Sequence, residues 1–273
     1  MAVRFDEIGY WSEIKLDIIK KYAAAYSVIM NKQSFINNYY YIDGFAGAGK
    51  HISKNTKEFI LGSPAIALNV NPPFSEYHFI DLNGDKADML RRELGRNNPK
   101  VKVHEGDCNK ILIDKIFPLV RFENYNRALC LLDPYGIHLK WEVLYAAGKS
   151  EAIEVFLNFS VMDMNMNVLR SDPEKVDKKQ INRMNAFWGD ESWREAAYEE
   201  QAGLFGKYEE KTSNQAMAKA FRKRLKTKAG FSYVPEPLPM RNTTGSIIYY
   251  LFFASPKKTG KDIFAKYKNK GLV

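Results

Sequence analysis

The run Tyr41-Ile-Asp-Gly-Phe-Ala-Gly-Ala-Gly-Lys-His51 constrains the fold more than any other stretch, because an apolar strand pattern breaks there into glycines at Gly44, Gly47 and Gly49. Glycine is needed where the backbone takes positive φ or where a Cβ would collide with an approaching ligand. A strand that runs into such a turn, and then into a helix whose free N–H groups face outward, is how open α/β sheets receive nucleotides. Three further strand ends carry acids: Phe79-Ile-Asp81, Glu105-Gly-Asp107 and Leu129-Cys-Leu-Leu-Asp-Pro-Tyr-Gly136. Each closes an apolar or alternating run at the edge where such sheets bind ligands. Gly44, Gly49 and Lys50 also fall at phosphate-loop spacing, but His51 stands where that motif needs Ser or Thr to hold Mg²⁺.

Strand patterns recur at 39–43, 77–81, 101–104, 127–132 and 153–159, each separated from the next by a helical pattern, which predicts a Rossmann-like, mostly parallel sheet. An amphipathic helix fills the first 31 residues, with Trp11, Ile14, Ile18, Tyr22, Ala25 and Ile29 on its apolar stripe. Between Gly49 and Asp81 the chain is longer than a simple crossover, and reads as an inserted loop plus a helix capped by Ser63 with Pro64 in its first turn. Residues 160–230 carry helical segments and no strand signal, with Phe187, Trp188 and Trp193 as a small core of their own. Strands return in the proline-spaced 231–240 and in Ser246 to Ala254, a closing antiparallel hairpin. The expected organisation is therefore a sheet domain of residues 1–159 and 231–273, interrupted by a helical substrate- or partner-binding insertion at 160–230.

The acids suggest distinct roles at one ligand. Asp81 can accept hydrogen bonds from both ribose hydroxyls of a nucleoside, or it can cap the next helix. Asp107, with Cys108 and Asn109 beside it, can take an exocyclic adenine amine, or it too can be a cap. Gly44, Phe45, Gly47 and Gly49 would wrap the methionine part of S-adenosylmethionine, and Asp43 would meet its ammonium directly or through water. The turn Asp133-Pro134-Tyr135-Gly136 is the sharpest chemical signal. A methyl transfer to an exocyclic amine needs hydrogen-bond acceptors that orient the nitrogen and an aromatic face for the extruded base. Asp133 and the Pro134 carbonyl supply the acceptors, and Tyr135 the face. Amino-methyltransferases usually show two prolines before the aromatic residue, whereas Tyr135 follows one, and a plain strand-end turn is the competing reading.

Tyr41 to His51, Gly62-Ser-Pro-Ala-Ile-Ala-Leu68, Asp133-Pro-Tyr-Gly-Ile-His-Leu-Lys-Trp-Glu142 and Phe156-Leu-Asn-Phe159 together resemble the three-Cys-motif partner (TcmP) family. The resemblance extends over most of the first 190 residues, including the helix around Lys15 and the segment Arg183-Met-Asn-Ala-Phe-Trp-Gly189. It implies a Rossmann-like, S-adenosylmethionine-dependent methyltransferase domain, distantly similar to ribosomal-RNA adenine-N6 methyltransferases. It also implies a three-cysteine partner protein that resembles radical enzymes or photolyase-like repair proteins. Donor binding carries over from such a family better than a chosen substrate does.

Charge points to a polyanion. Lys and Arg total 41 against 32 acids, a net +9 with a pI near 9.2. One predicted helix, Lys219 to Lys228, concentrates cations, and Arg222, Lys223, Arg224 and Lys226 are the candidates for phosphate contact. A solvated helix face is the bland alternative, and a second basic helix is expected from Lys257 to Lys270. Cys108 and Cys130 form no CxxC, and the four His are scattered, so no metal centre is expected. With no membrane-length apolar run, and with Asp6, Glu13, Lys15 and Asp17 where a leader would be apolar, a cytoplasmic protein is expected. A nuclease that gathers Mg²⁺ on Asp43, Asp81 and Asp133 is disfavoured, because its Glu-x-Lys pairs fall on predicted helices. The expected activity is S-adenosylmethionine-dependent methylation of nucleic acid at an exocyclic, adenine-N6-like amine. The alternative is a non-catalytic nucleotide- or nucleic-acid-binding subunit of the three-cysteine partner.

Overall fold

A computed structural model describes residues 5–172, 175–203 and 206–257, with backbone alone at 202, 203 and 206–208. The basic helix expected from Lys257 to Lys270 lies, beyond Lys257, outside the described residues. In chain order the elements begin with β1 (Glu7–Ile8), α1 (Tyr10–Asn31), β2 (Asn38–Asp43), β3 (Lys50–Ser53), β4 (Phe59–Leu61) and α2 (Ser63–Leu68). Next come β5 (Glu76–Asp81), α3 (Gly84–Leu90), β6 (Val101–Glu105), α4 (Cys108–Ile111), β7 (Asn126–Leu132), α5 (Trp141–Lys149) and β8 (Ile153–Phe159). The remainder comprises α6 (Val161–Asn167), α7 (Lys178–Trp188), α8 (Trp193–Ala197), β9 (Tyr198–Gly203), β10 (Gly206–Lys211), α9 (Asn214–Arg224), β11 (Leu238–Arg241) and β12 (Ile247–Ala254).

Seven strands make the central sheet in the order β11-β12-β8-β7-β2-β5-β6. The five from β8 to β6 are parallel, β12 runs antiparallel to β8, and β11 antiparallel to β12. Numbered by their occurrence within the sheet, the strands read 6-7-5-4-1-2-3, a Rossmann-like, mostly parallel sheet closed by the expected hairpin. The strand order reverses between β2 and β7, and at that switch point an open sheet leaves a crevice beyond its strand ends. Asp43 ends β2 and Asp133 comes directly after β7, so these two acids flank the crevice.

Parallel strands buried on both faces read as nearly continuous apolar runs, and alternate residues feed two cores. Tyr41, Phe79, Leu129, Leu131, Phe156 and Phe253 pack under α1 against Tyr22 and Tyr26. Ile42, Cys130, Leu132, Val155, Leu157 and Phe159 face the other way, toward α5 and residues 160–230. Phe221 of α9 stands 4.7 Å from Phe159 and stacks on Phe187 at 5.4 Å. Phe187, Trp188 and Trp193 therefore belong to the core of the sheet itself and not to a separate one. Among the described residues no helix is long and apolar enough to cross a membrane.

Three local features differ from the sequence expectation. The segment 160–230 is mainly helical but holds the antiparallel ribbon β9–β10, whose polar run Tyr198-Glu-Glu-Gln-Ala-Gly203 gives no alternating signal. The insertion after Gly49 is a hairpin, β3–β4, joined by β1 into a small three-stranded sheet. Helix α2 is capped at Gly62 instead of Ser63, whose hydroxyl turns to Asp43 at 2.5 Å.

Candidate donor and acceptor site

The glycine turn has the geometry its residues require. Gly47 and Gly49 take φ of +63° and +78°, conformations L side chains rarely adopt. A Cβ on Gly47 would find only His51 Cε1, at 4.0 Å, so Gly47 presents bare backbone to open space, whereas a Cβ on Gly44 would meet Leu132 at 3.0 Å and one on Gly49 would meet Leu90 at 3.2 Å. The Gly47 N–H donates to Asp81 Oδ2 at 2.9 Å, and Asn83 N–H to Asp81 Oδ1 at 2.8 Å. A carboxylate accepts about four hydrogen bonds, so Asp81 retains capacity for two hydroxyls. Leu82, next in sequence, is 78% exposed, an apolar surface beside that carboxylate that the sequence reading did not single out. A lone leucine directly after a strand-end acid was the available signal. These residues fit an adenosyl group.

Asp43 is placed differently from the expected ammonium contact. It is fully buried; Oδ2 accepts from Ser63 and Oδ1 from the Phe45 N–H at 3.2 Å. Burial raises its carboxyl to about 7 against the lowering effect of those two bonds. Its observed contacts hold the turn from Gly44 to the start of α2. Asp107 caps α4 through the Asn109 N–H at 2.9 Å, and Asn109 bridges onward to the carbonyl of His138 at 3.1 Å and the N–H of Lys140 at 2.7 Å. Cys108 is buried, and burial pushes its thiol up to about 12.

At the acceptor side, Asp133 is held from two directions. The Lys15 ammonium donates to Oδ2, and the Asn158 side-chain amide donates to Oδ1 at 2.9 Å and to the Pro134 carbonyl at 3.3 Å. One Asn158 amide thus fixes both expected acceptors, while its own Oδ1 is buried without a partner. Lys15 is 6% exposed and lies 5.5 Å from the Tyr249 ring centroid. Burial pulls its pKa down, but the Asp133 charge, its hydrogen bond and the nearby Tyr249 and Asp43 together outweigh that, and the net direction is upward. Ile18 and Tyr22 of the expected α1 stripe are buried, and Trp11 and Ile14 pack at its edge, but the stripe left out part of the buried face. The buried face also takes in Lys15, Ile19 and Tyr26, so a lysine at the spacing of Ile19 and Tyr22 was the overlooked signal.

The turn itself is clamped by the insertion. Asp163 of α6 accepts from the Ile137 N–H at 2.8 Å and from Arg183 of α7 at 2.6 Å. A Cβ on Gly136 would lie 2.3 Å from Asp163 Oδ2, so only glycine fits beneath that carboxylate. Tyr135 is 79% exposed, and its hydroxyl donates to Asp6 at 2.8 Å. His51 brings a buried, unpartnered Nδ1; burial and then the Lys15 charge hold its imidazole below the ordinary range.

The expected phosphate-binding cations separate into two pairs. Arg222 binds the Val234 carbonyl at 2.7 Å and pairs with Glu236. Arg224 binds the Trp188 carbonyl and Asp190, each at 2.6 Å, with its guanidinium 4.6 Å from the Trp141 ring centroid. Arg224 ties the segment 160–230 together and Arg222 joins it to the chain that follows, whereas Lys223 and Lys226 are exposed. Trp141 is a packing residue, buried edge-on against Phe221. Among the described residues no three His, Cys, Asp or Glu side chains are placed to share a metal ion.

No protein-family model matches the chain, and no curated protein does. Among solved structures, protein LPL1258 of Legionella pneumophila, from the DUF519 family, overlays at a TM-score of 0.50 with 11% identity, covering 93% of this chain and 91% of its own. The yhhF protein of Escherichia coli, described as a methyltransferase, overlays at 0.37 with 10% identity over 88% of this chain and 86% of that one. A Leishmania major S-adenosylmethionine-dependent methyltransferase of the DUF858 family overlays at 0.39 with 11% identity, covering 88% and 72%. The first likeness is one of fold, and the two looser overlays carry no argument about chemistry.

Proposed function

We propose that the protein is an S-adenosylmethionine-dependent methyltransferase that acts on an exocyclic amine of nucleic acid, adenine N6 foremost. The observation that carries this reading is the single Asn158 amide that fixes the Asp133 carboxylate and the Pro134 carbonyl side by side at the switch point. S-adenosylmethionine would supply an electrophilic methyl group on a sulfonium. The bare backbone around Gly47 and the Asp81 carboxylate would seat the donor, with Leu82 beside its nucleoside. Asp133 and the Pro134 carbonyl would accept the N–H groups of the amine, turning its lone pair out of conjugation and toward the methyl group. Their fixed positions avoid reorganisation at the moment of transfer. Lys15 and Asn158 each take one hydrogen bond on Asp133, and a carboxylate accepts about four, so both oxygens keep acceptor capacity for the amine. Tyr135 would stack on the extruded base, and Lys223 and Lys226 would meet the phosphates of the strand.

The Lys15–Asp133 pair also favours a second reading, because a carboxylate already engaged by an ammonium can be a structural tie in a protein that only binds. In that case the chain would recognise nucleotide or nucleic acid for a three-cysteine partner. Calorimetry with S-adenosylhomocysteine, together with transfer of labelled methyl to RNA and DNA, separates the two. Donor binding with transfer that vanishes in Asp133→Asn supports the enzyme; donor binding without transfer to either nucleic acid supports the binding subunit.

A further inference from the structure

We propose that Asp6 is a positioning residue for the acceptor: its carboxylate, carried on a segment that crosses the strand ends, holds the Tyr135 ring in the pose that receives a base. This rests on the methyl-transfer reading of the site. Tyr135 projects into solvent, and its hydroxyl is anchored on Asp6 Oδ2 at 2.8 Å. An exposed ring without such an anchor samples several rotamers, and ordering it would fall on the binding step.

Asp6 is itself held in place. Its carbonyl accepts from the Ile52 N–H at 3.0 Å, Glu7 and Ile8 pair in parallel with Ile52 and Ser53, and Lys54 N–H donates to the Ile8 carbonyl at 2.9 Å. The Phe5 ring meets Phe59 edge-on at 5.2 Å. The hairpin inserted after the glycine turn is thus the scaffold on which this acid is mounted. Asp6 Oδ2 also accepts from Lys86 Nζ at 2.8 Å. Lys86 lies on α3, directly after the Asp81 strand end, so one carboxylate joins the donor-side helix to the acceptor turn. Its negative charge is balanced there, and it can orient the ring without repelling a polyanion.

The test uses the full chain, with Asp6→Ala, Asp6→Asn, Tyr135→Phe and the double variant Asp6→Ala/Tyr135→Phe. Hydrogen exchange over residues 133–139 reports the turn, and fluorescence of a single-stranded oligonucleotide carrying 2-aminopurine, with S-adenosylhomocysteine present, reports acceptor binding without turnover. Asp6→Ala should speed exchange in that segment and weaken oligonucleotide binding about three- to tenfold, with donor affinity unchanged. Tyr135→Phe should match it, the double variant should add nothing, and Asp6→Asn, which keeps an acceptor for the hydroxyl, should restore most of the loss. Wild-type exchange and affinity in Asp6→Ala, losses that multiply in the double variant, or an equal loss of donor affinity would overturn the assignment. A wild-type protein that binds donor but no oligonucleotide would sink the acceptor reading itself and this role with it.

Discussion

The Lys15 ammonium on α1 pairs with the Asp133 carboxylate beyond β7, joining positions 118 residues apart at the mouth of the switch-point crevice. Breaking a fully buried pair from one side costs about 3–5 kcal/mol. Asp133 keeps 27% of its side-chain surface in water, so Lys15→Met is expected to cost less, about 2 kcal/mol, read as a shift in denaturant midpoint. Methyl transfer should fall together with stability. An unchanged midpoint would mean that the pair is not formed in solution.

Asp81 should matter for the donor and little for the acceptor. Asp81→Ala removes the expected ribose acceptor and the partner of the Gly47 N–H. Hydrogen bonds to a charged group contribute about 1.5–3 kcal/mol, so affinity for S-adenosylhomocysteine should drop about ten- to a hundredfold by calorimetry. A drop below twofold would place the donor elsewhere.

Gly136→Ala is a steric test of the acceptor turn. The added methyl would overlap Asp163 Oδ2 and push apart the turn and the clamp that Arg183 completes. Overpacking of this kind costs about 1–3 kcal/mol. Transfer should collapse while donor affinity stays near that of the wild type; the same melting temperature and rate as wild type would show that the turn relaxes freely.

Glu154 gives a pH signature of folding. It is buried between the Tyr22 and Ser255 hydroxyls, and burial lifts its carboxyl to about 7 from an ordinary 4.5 despite those bonds. Its folded form holds a proton that the unfolded chain has released across that interval. The stabilisation is therefore complete below about pH 4.5 and is lost as pH rises through about 7, with a limiting slope of about 1.4 kcal/mol per pH unit. Glu154→Gln should flatten the stability profile between those values. The difference between the two profiles isolates this group from Asp43, raised to about 7, and from His78, which burial lowers to about 4.

Lys223→Glu and Lys226→Glu should weaken nucleic-acid binding evenly across sequences. Each lost phosphate contact should lower the salt dependence by about one unit of slope. Arg224→Glu should instead lower the melting temperature, because that guanidinium holds Trp188 and Asp190. An effect on salt slope from Arg224 and none from the lysines would reverse this division.

The sheet was legible because its parallel strands are buried on both faces: the runs ending at Asp43, Asp81 and Leu132 needed only local hydrophobicity and a terminal acid or glycine to be placed. Gly47, Gly49 and Asp133 were legible for the same reason, since they sit within a few residues of a strand end that hydrophobicity alone locates. The partners that give Asp133 and Tyr135 their geometry were not. Lys15 and Asp6 reach them across more than a hundred residues, and no periodicity records a pairing at that separation. The hairpins β3–β4 and β9–β10 escaped notice because Lys50, His51 and the glutamates of β9 and β10 carry too little apolar alternation to mark a strand.

Because the chain leaves Gly49 as strand β3 and α2 starts only at Ser63, the helix that meets the glycine turn is brought back to it by the hairpin, with the Gly62 N–H bonded to the Gly49 carbonyl at 2.9 Å. Lengthening or shortening the β3–β4 hairpin would therefore shift the start of α2 against the turn without altering a residue of the turn itself.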